Sequence, residues 1–321
     1  MEKLQEQILK GRNLRPSTLK TYLFNLNKLH KKMFNDEPIK DLDFLTKTDK
    51  VIDALADLKL STQKTYLASI VVALDALKEK KYEKALEKYR EIMMDNIKES
   101  NELAKEQSKS ESQDKNWTSM KALKKVVSDY KKQLTDREIF KKNPDDLSKK
   151  EKDLLQKWLV GSLYVIDNNN PPIRLDYTPL EVISLKEYNK LPDADLESKN
   201  YLVNASRNKK FFSFGEYKTK KTYGINKLDV GSKLNSVLNL YLRLHDNKYL
   251  LLNSKGEPLS PNGLSKYITK VFEPTGKKIT ANLLRHIYIS EFMTGPSLKE
   301  KAELGEKMGH STNTQELYKK N

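Results

Sequence analysis

The 321-residue sequence contains no cysteine and only four histidines, His30, His245, His286 and His310. The first absence excludes disulfides, thiol catalysis and every cysteine-ligated metal site. The second leaves no two histidines at a metal-binding spacing, so a zinc enzyme is not expected. Long apolar runs are missing too: the longest, such as Leu67 to Leu74, fall far short of the ~20 residues a membrane-spanning helix needs. The opening MEKLQEQILKGRN has no apolar signal-peptide core. An intracellular protein, in nucleus or cytoplasm and without a membrane partner, is the expectation. Negative charge is scarce: 44 Asp and Glu face 60 Lys and Arg, a formal net charge of +16. Such an excess favours a polyanionic partner, most commonly nucleic acid. With 37% hydrophobic residues the chain can build a core, and its length admits two domains.

The periodicity divides the chain into a helical domain over 1–105, a linker over 106–115 and a second domain over 116–321. From Ser17, read as an N-cap, the positions Leu19, Tyr22, Leu23, Leu26, Leu29 and Met33 follow helical spacing. A second helix starts at Ser61, with Tyr66, Leu67, Ile70, Val71, Leu74 and Leu77 inward. The two starts match, Ser17-Thr18-Leu19-Lys20-Thr21-Tyr22-Leu23 against Ser61-Thr62-Gln63-Lys64-Thr65-Tyr66-Leu67. Each puts a lysine, Lys20 or Lys64, beside free backbone N–H groups that can hold a phosphate. Two capped helices with solvated lysines explain the match equally well. Leu77 to Lys105 reads as a long exposed helix. The linker EQSKSESQDK has no apolar residue.

In the second domain, helices are predicted at about Thr118–Gln133 and Ser148–Val165. Strands are predicted at Tyr201–Val203, Phe211–Phe214 and Thr222–Val230, with Lys218–Lys221 at the last turn, and a short one at Tyr249–Leu252. Helices follow Gly231. The fold class is therefore mainly α with a small antiparallel sheet (α+β).

Four features of this domain can carry chemistry. Arg174 follows Pro171-Pro172-Ile173 and precedes Leu175-Asp176-Tyr177. An arginine there is ordinarily a surface residue, but apolar neighbours can hold it rigidly as a phosphate clamp requires. Lys218, Lys220 and Lys221 cluster at a hairpin turn. Lysines there commonly blunt a sheet edge, and they can equally reach DNA or protonate a leaving oxygen. On the predicted helix Ala281-Asn282-Leu283-Leu284-Arg285-His286, Asn282 and Arg285 share a face. Its arginine is ordinarily a snorkelling surface residue. Last, Met308-Gly309-His310-Ser311 reads as a helix end and a new cap, with Tyr318 eight residues after the histidine.

In this order, Arg, Lys, Asn-x-x-Arg, His and Tyr in one domain of a basic protein resemble the tyrosine recombinase (phage integrase) family. The agreement covers about residues 116–321. The helical first domain is similar to that family's core-binding domain, and Pro-Pro-Ile-Arg-Leu-Asp-Tyr resembles recombinases of large DNA viruses and mobile elements. The resemblance implies a site-specific recombinase that cleaves and rejoins DNA through a 3′-phosphotyrosyl intermediate, without metal or ATP. Tyr318 would be the nucleophile, Arg174 and Arg285 the phosphate clamp, and Lys218 the donor to the leaving 5′ oxygen, with Lys220 or Lys221 as substitutes. His310 would bind the phosphate or support the tyrosine. Lys20, Lys64, Lys220 and Lys221 would contact double-stranded DNA, and four copies would assemble at synapsis. Two departures stand out. Asn282 occupies a position most often histidine in the family, and it can donate a hydrogen bond but cannot act as a general base. Only three residues follow Tyr318, where many family members extend a further helix; the expectation is that subunit contacts use another surface, or that the chain is truncated. The competing readings are a type IB topoisomerase, which religates the original strand, and an inactive DNA-binding relative. A basic RNA-binding or scaffold protein is a third. Covalent attachment to DNA separates the enzymes from the others.

Overall fold

The computed structural model describes residues 2–12, 14–292 and 298–320. It divides into two compact units, Met1–Glu106 and Gln107–Asn321, each with its own core. The first unit is built from α1 (Glu2–Gly11), α2 (Pro16–Met33), α3 (Thr48–Ala56), α4 (Leu60–Leu77) and α5 (Glu83–Lys105). The second contains α6 (Glu111–Asn116), α7 (Met120–Asp136), α8 (Lys149–Val165), β1 (Glu181–Ser184), α9 (Leu185–Tyr188), α10 (Asp193–Ser198), β2 (Asn200–Ser206) and β3 (Lys209–Phe214). It continues with α11 (Lys220–Tyr223), β4 (Asn226–Asp229), α12 (Ser232–Arg243), α13 (Pro261–Val271), α14 (Ala281–Phe292), α15 (Leu298–Met308) and α16 (Thr312–Tyr318). Among the described residues no helix is long and apolar enough to cross a membrane.

In the first unit α2 buries Leu19, Leu26 and Leu29 against α4, whose Ile70, Val71 and Leu74 lie in the same core. A buried bond from Asn25 to Ser69 (3.1 Å) fixes the pairing of α2 with α4. Neither Ser17 nor Ser61 is an N-cap, contrary to the expectation from the sequence. Each helix starts one residue earlier, after extended Arg15 and after Lys59, with no side-chain cap. Pro16 explains the first case, because it has no N–H to satisfy and its φ is already helical. The expected helix from Leu77 to Lys105 is interrupted: Lys78 is left-handed (φ 53°) and a single tight turn at Lys80–Tyr82 precedes α5.

The second unit packs around α8, which is buried continuously from Leu154 to Val165 except at the half-buried Lys157. Ser148 and Glu151 close a reciprocal cap at its start. Gly161 lets α7 approach, since a Cβ there would lie 2.6 Å from the Val127 side chain. The sheet runs in the order β1-β2-β3-β4. Its β2–β3 and β3–β4 pairs are antiparallel, but β1 pairs parallel to β2, so the sheet is mixed rather than wholly antiparallel. Alternation sorts the side chains: Leu202, Phe212, Phe214 and Leu228 enter the main core, and Tyr201, Val203 and Tyr188 form a separate cluster.

The predicted strand Thr222–Val230 proves to be the helical turn α11, a break at Gly224 (φ 67°) and the short β4. At Tyr249–Leu252 only isolated bridges form, Glu181 with Tyr249 and Leu252 with Pro258. The segment expected to be linker is partly folded. Ser110 caps α6 with Gln113, and Lys277 and Lys278 bond the Lys115 carbonyl and the Asn116 side chain.

Candidate active site

Helix α14 brings the second arginine inside. Thr280 accepts the Leu283 N–H at its start (3.2 Å), and every residue from Leu283 to Ile289 is buried. Arg285 is 1% exposed, not a snorkelling surface residue. Its Nη1 donates to the Tyr318 hydroxyl oxygen (3.1 Å), and its Nη2 donates to the Met308 carbonyl (3.4 Å) and to His310 Nδ1 (2.5 Å). Burial holds its pKa down to about 10, with the Arg174 charge acting in the same direction, so the group stays cationic at neutral pH. Asn282 shares little of this environment. It is exposed on the first turn of α14, and its side chain makes no hydrogen bond among the described residues.

His310 is placed by the end of α15. Gly309 adopts a left-handed φ of 64°, its N–H returns to the Glu306 carbonyl (3.0 Å) and the His310 N–H to the Gly305 carbonyl (2.9 Å). Those two bonds form a Schellman motif, the helix end that glycine favours. Ser311 then caps α16 through the Thr314 N–H (3.3 Å). The His310 ring is buried, and burial followed by the Arg285 and Arg174 charges pushes its pKa down to about 3. It is neutral, and because Arg285 can only donate, Nδ1 must accept. The ring proton therefore sits on Nε2. That atom and Arg285 Nε are both buried with no partner among the described residues.

Tyr318, half-buried at the last turn of α16, lies under this cluster. The Arg285 guanidinium carbon is 4.7 Å from its ring centroid. Its ring stacks with His310 (5.3 Å, 13°) and with His286 (4.5 Å, 27°). His286 Nδ1 donates to the Tyr318 carbonyl (2.7 Å), which orients the residue from the backbone side. Burial pushes the His286 pKa down to about 4. His286 was not a predicted site residue. Its only signal in the sequence was adjacency to Arg285, and adjacent helical residues do not face the same way.

Arg174 reaches the same turn from the loop after α8. Tyr164 donates to its carbonyl (2.7 Å), and its Nη1 donates to the Gly309 carbonyl (3.1 Å). The Thr219 hydroxyl donates to that same oxygen (2.9 Å). A Cβ on Gly309 would sit 3.0 Å from Thr219 Oγ1 and 3.5 Å from the Tyr217 ring. Lys218, between Tyr217 and Thr219, is exposed with no hydrogen-bond or ion-pair partner among the described residues. Lys220 is engaged instead, on the Glu197 carbonyl (2.6 Å) and carboxylate (3.3 Å). Lys221 is exposed and unpartnered. In the first unit Lys20 is exposed and Lys64 half-buried, both without a partner among the described residues.

The structure thus joins Arg285, His310 and Tyr318 through direct contacts, and ties Arg174 and Thr219, the residue after Lys218, to the carbonyl of Gly309, which precedes His310. The cluster offers two cations, a neutral imidazole donor and a phenol, a set suited to a tetrahedral oxyanion. No protein-family model matches the sequence, and no curated protein matches it. Among solved structures the chain is similar to the XerA recombinase, at 13% identity and a TM-score of 0.35, over 98% of this chain and 92% of that one. It is also similar to the XerH site-specific recombinase bound to difH substrate in a pre-cleavage complex, at 16% identity and a TM-score of 0.46, over 99% of this chain and 81% of that one.

Proposed function

We propose that this protein is a tyrosine-type site-specific DNA recombinase. One observation carries the reading: a buried, still cationic Arg285 contacts both the Tyr318 hydroxyl and His310, with Arg174 tied to the neighbouring Gly309. Two guanidinium groups aimed at one phosphate stabilise the charge that builds on its nonbridging oxygens in the transition state. The unpartnered Nε2–H of His310 and Nε–H of Arg285 are further donors for those oxygens. Asn282, one helical turn before Arg285, adds an amide donor from the exposed side.

The Tyr318 oxygen accepts a bond from Arg285, which leaves its own proton free to pass to solvent. That oxygen attacks phosphorus, the P–O5′ bond breaks, and the O5′ electron pair takes a proton from the Lys218 ammonium. The product is a 3′-phosphotyrosyl link and a 5′-hydroxyl. Attack by a 5′-hydroxyl of another duplex reverses these steps and exchanges strands, within a homotetramer of the kind the family resemblance implies. The link conserves the bond energy, so no nucleotide is consumed. Lys20, Lys64 and Lys221 serve as phosphate contacts on the duplex.

The test is covalent capture. Wild-type protein and Tyr318→Phe are each mixed with fragmented genomic DNA from the source element, denatured in detergent, and the protein-linked fragments sequenced. Adducts from the wild type alone, clustered at one sequence, are expected. Adducts from the mutant would move the nucleophile elsewhere, adducts without sequence preference would favour a topoisomerase, and none on DNA that is bound would leave a non-catalytic binder. Capture should persist in excess EDTA, because the guanidinium pair supplies the positive charge; loss with the chelator would overturn the metal-free chemistry.

A further inference from the structure

The segment Tyr217–Lys220 is tied down at every residue except the one proposed to donate the proton. The Tyr217 hydroxyl closes onto the Gly224 carbonyl (2.9 Å). Lys220 is held on Glu197. Thr219 stands at the start of α11, where a threonine ordinarily caps the helix by accepting a backbone N–H. It makes no such cap. Its hydroxyl instead donates to the Gly309 carbonyl, 90 residues along the chain, where Arg174 also binds. The local use of the side chain is given up for a distant one, and the distant partner adjoins His310.

We infer that Thr219 is a positioning residue, a latch that fixes the Lys218 mount against the turn carrying His310 and so aims the Lys218 ammonium at the leaving oxygen. The inference rests on the proposed phosphotyrosyl chemistry. It assigns Thr219 no contact with substrate. General acid catalysis depends on the donor lying within hydrogen-bond reach of the atom it protonates, and small misplacement is costly. Removing the hydroxyl should therefore weaken proton donation while leaving the guanidinium clamp and the nucleophile in place.

A sulfur leaving group separates these effects, because a thiolate departs without a proton. Single-turnover cleavage is measured on a duplex carrying the captured site, with either oxygen or sulfur at the scissile 5′ position, for wild type, Thr219→Val, Thr219→Ser and Lys218→Ala. With oxygen, Thr219→Val should cleave about 10- to 100-fold more slowly than wild type at unchanged DNA affinity. Thr219→Ser, which keeps the hydroxyl, should stay near wild type. With sulfur, both Thr219→Val and Lys218→Ala should approach the wild-type rate. Full cleavage of the oxygen substrate by Thr219→Val would overturn the latch. So would a defect that persists with sulfur, which would place the effect on the Arg174–His310 side. Thermal melts show whether Thr219→Val is folded, and a loss of fold with Thr219→Ser also slow would count against the inference. Failure of wild type to cleave either substrate would instead overturn the phosphotyrosyl reading itself.

Discussion

A guanidinium taken out of water is costly unless its protons are used, and Arg285 spends three bonds on Tyr318, Met308 and His310. In the proposed reading its charge stabilises a phosphate as negative charge develops there. Arg285→Ala should lower cleavage by about 100- to 1000-fold and DNA affinity far less, since the contact strengthens in the transition state. Equal losses in single-turnover and binding measurements would reduce Arg285 to a phosphate anchor. At Gly309 the left-handed φ of 64° costs an alanine roughly 1–2 kcal/mol. A methyl group there would also meet Thr219 Oγ1 at 3.0 Å and Arg174 Nη1 at 3.6 Å. Gly309→Ala should melt at a lower temperature and cleave slowly, and wild-type cleavage would show that the shared carbonyl is dispensable.

The two site histidines also make the fold sensitive to acid. Burial, the largest cause for both, lowers His310 to about 3 and His286 to about 4 from an ordinary 6.5. Between those values and 6.5 the unfolded chain binds more protons than the folded one. Their contribution is therefore complete above about pH 6.5 and is lost as pH falls toward 4 and then 3. Melting temperature should drop from pH 7 to pH 5, and less so in a variant with His286→Gln and His310→Asn. An unchanged pH slope in that variant would refute the assignment.

At the scale of the element, the caps explain where helices begin. Those of α8, α9 and α6 are local: Ser148 with Glu151, Ser184 with Glu187 and Ser110 with Gln113 all close within one turn. Helix α12 differs. Its first residues follow Gly231, which has no side chain, and Asp167 caps it from the loop after α8 through the Lys233 N–H (3.2 Å). Asn170 accepts the Gly231 N–H (2.7 Å) beside it. A Cβ at Gly231 would lie 2.2 Å from Asp167 Oδ2, so the close approach requires glycine. Asp167→Ala should cost about 1–2 kcal/mol of stability, read as a shift in denaturant midpoint. No shift would mean that water replaces the cap. Such a cap also ties the loop leading to Arg174 to the start of α12.

For the whole molecule, the relevant facts are a net charge of +16 and two units with separate cores. Affinity for duplex DNA should fall linearly in log–log terms with salt, by about 0.9 for each phosphate neutralised. A flat dependence would exclude a backbone-dominated interface. Residues 1–106 enclose their own apolar cluster from Leu4 to Tyr89. That piece alone should be helical and melt cooperatively by circular dichroism, and a broad, non-cooperative melt would show that its core is insufficient.

The amino-acid order by itself determined what depends on neighbours a few residues apart. Apolar spacing marked α2, α4, α7 and α8, Gly309 marked the end of α15, and the pair Ser311-Thr312 marked the start of α16, with Ser311 proving to be the cap, because periodicity and caps act within one or two turns. The residue types of the candidate site were legible as well: Arg174, Arg285, His310 and Tyr318 stand in an order that resembles one family's. What contiguous sequence could not settle is which faces meet. Burial of Arg285, the clasp of His286 on Tyr318, the capture of Lys220 by Glu197 and the parallel pairing of β1 each need partners brought from elsewhere in the chain. The same holds for the Gly309 carbonyl, where Arg174 and Thr219 meet only because α15 ends against the loop after β3. Hydrogen bonds and desolvation depend on distance in space, and that distance is set by packing of the whole core.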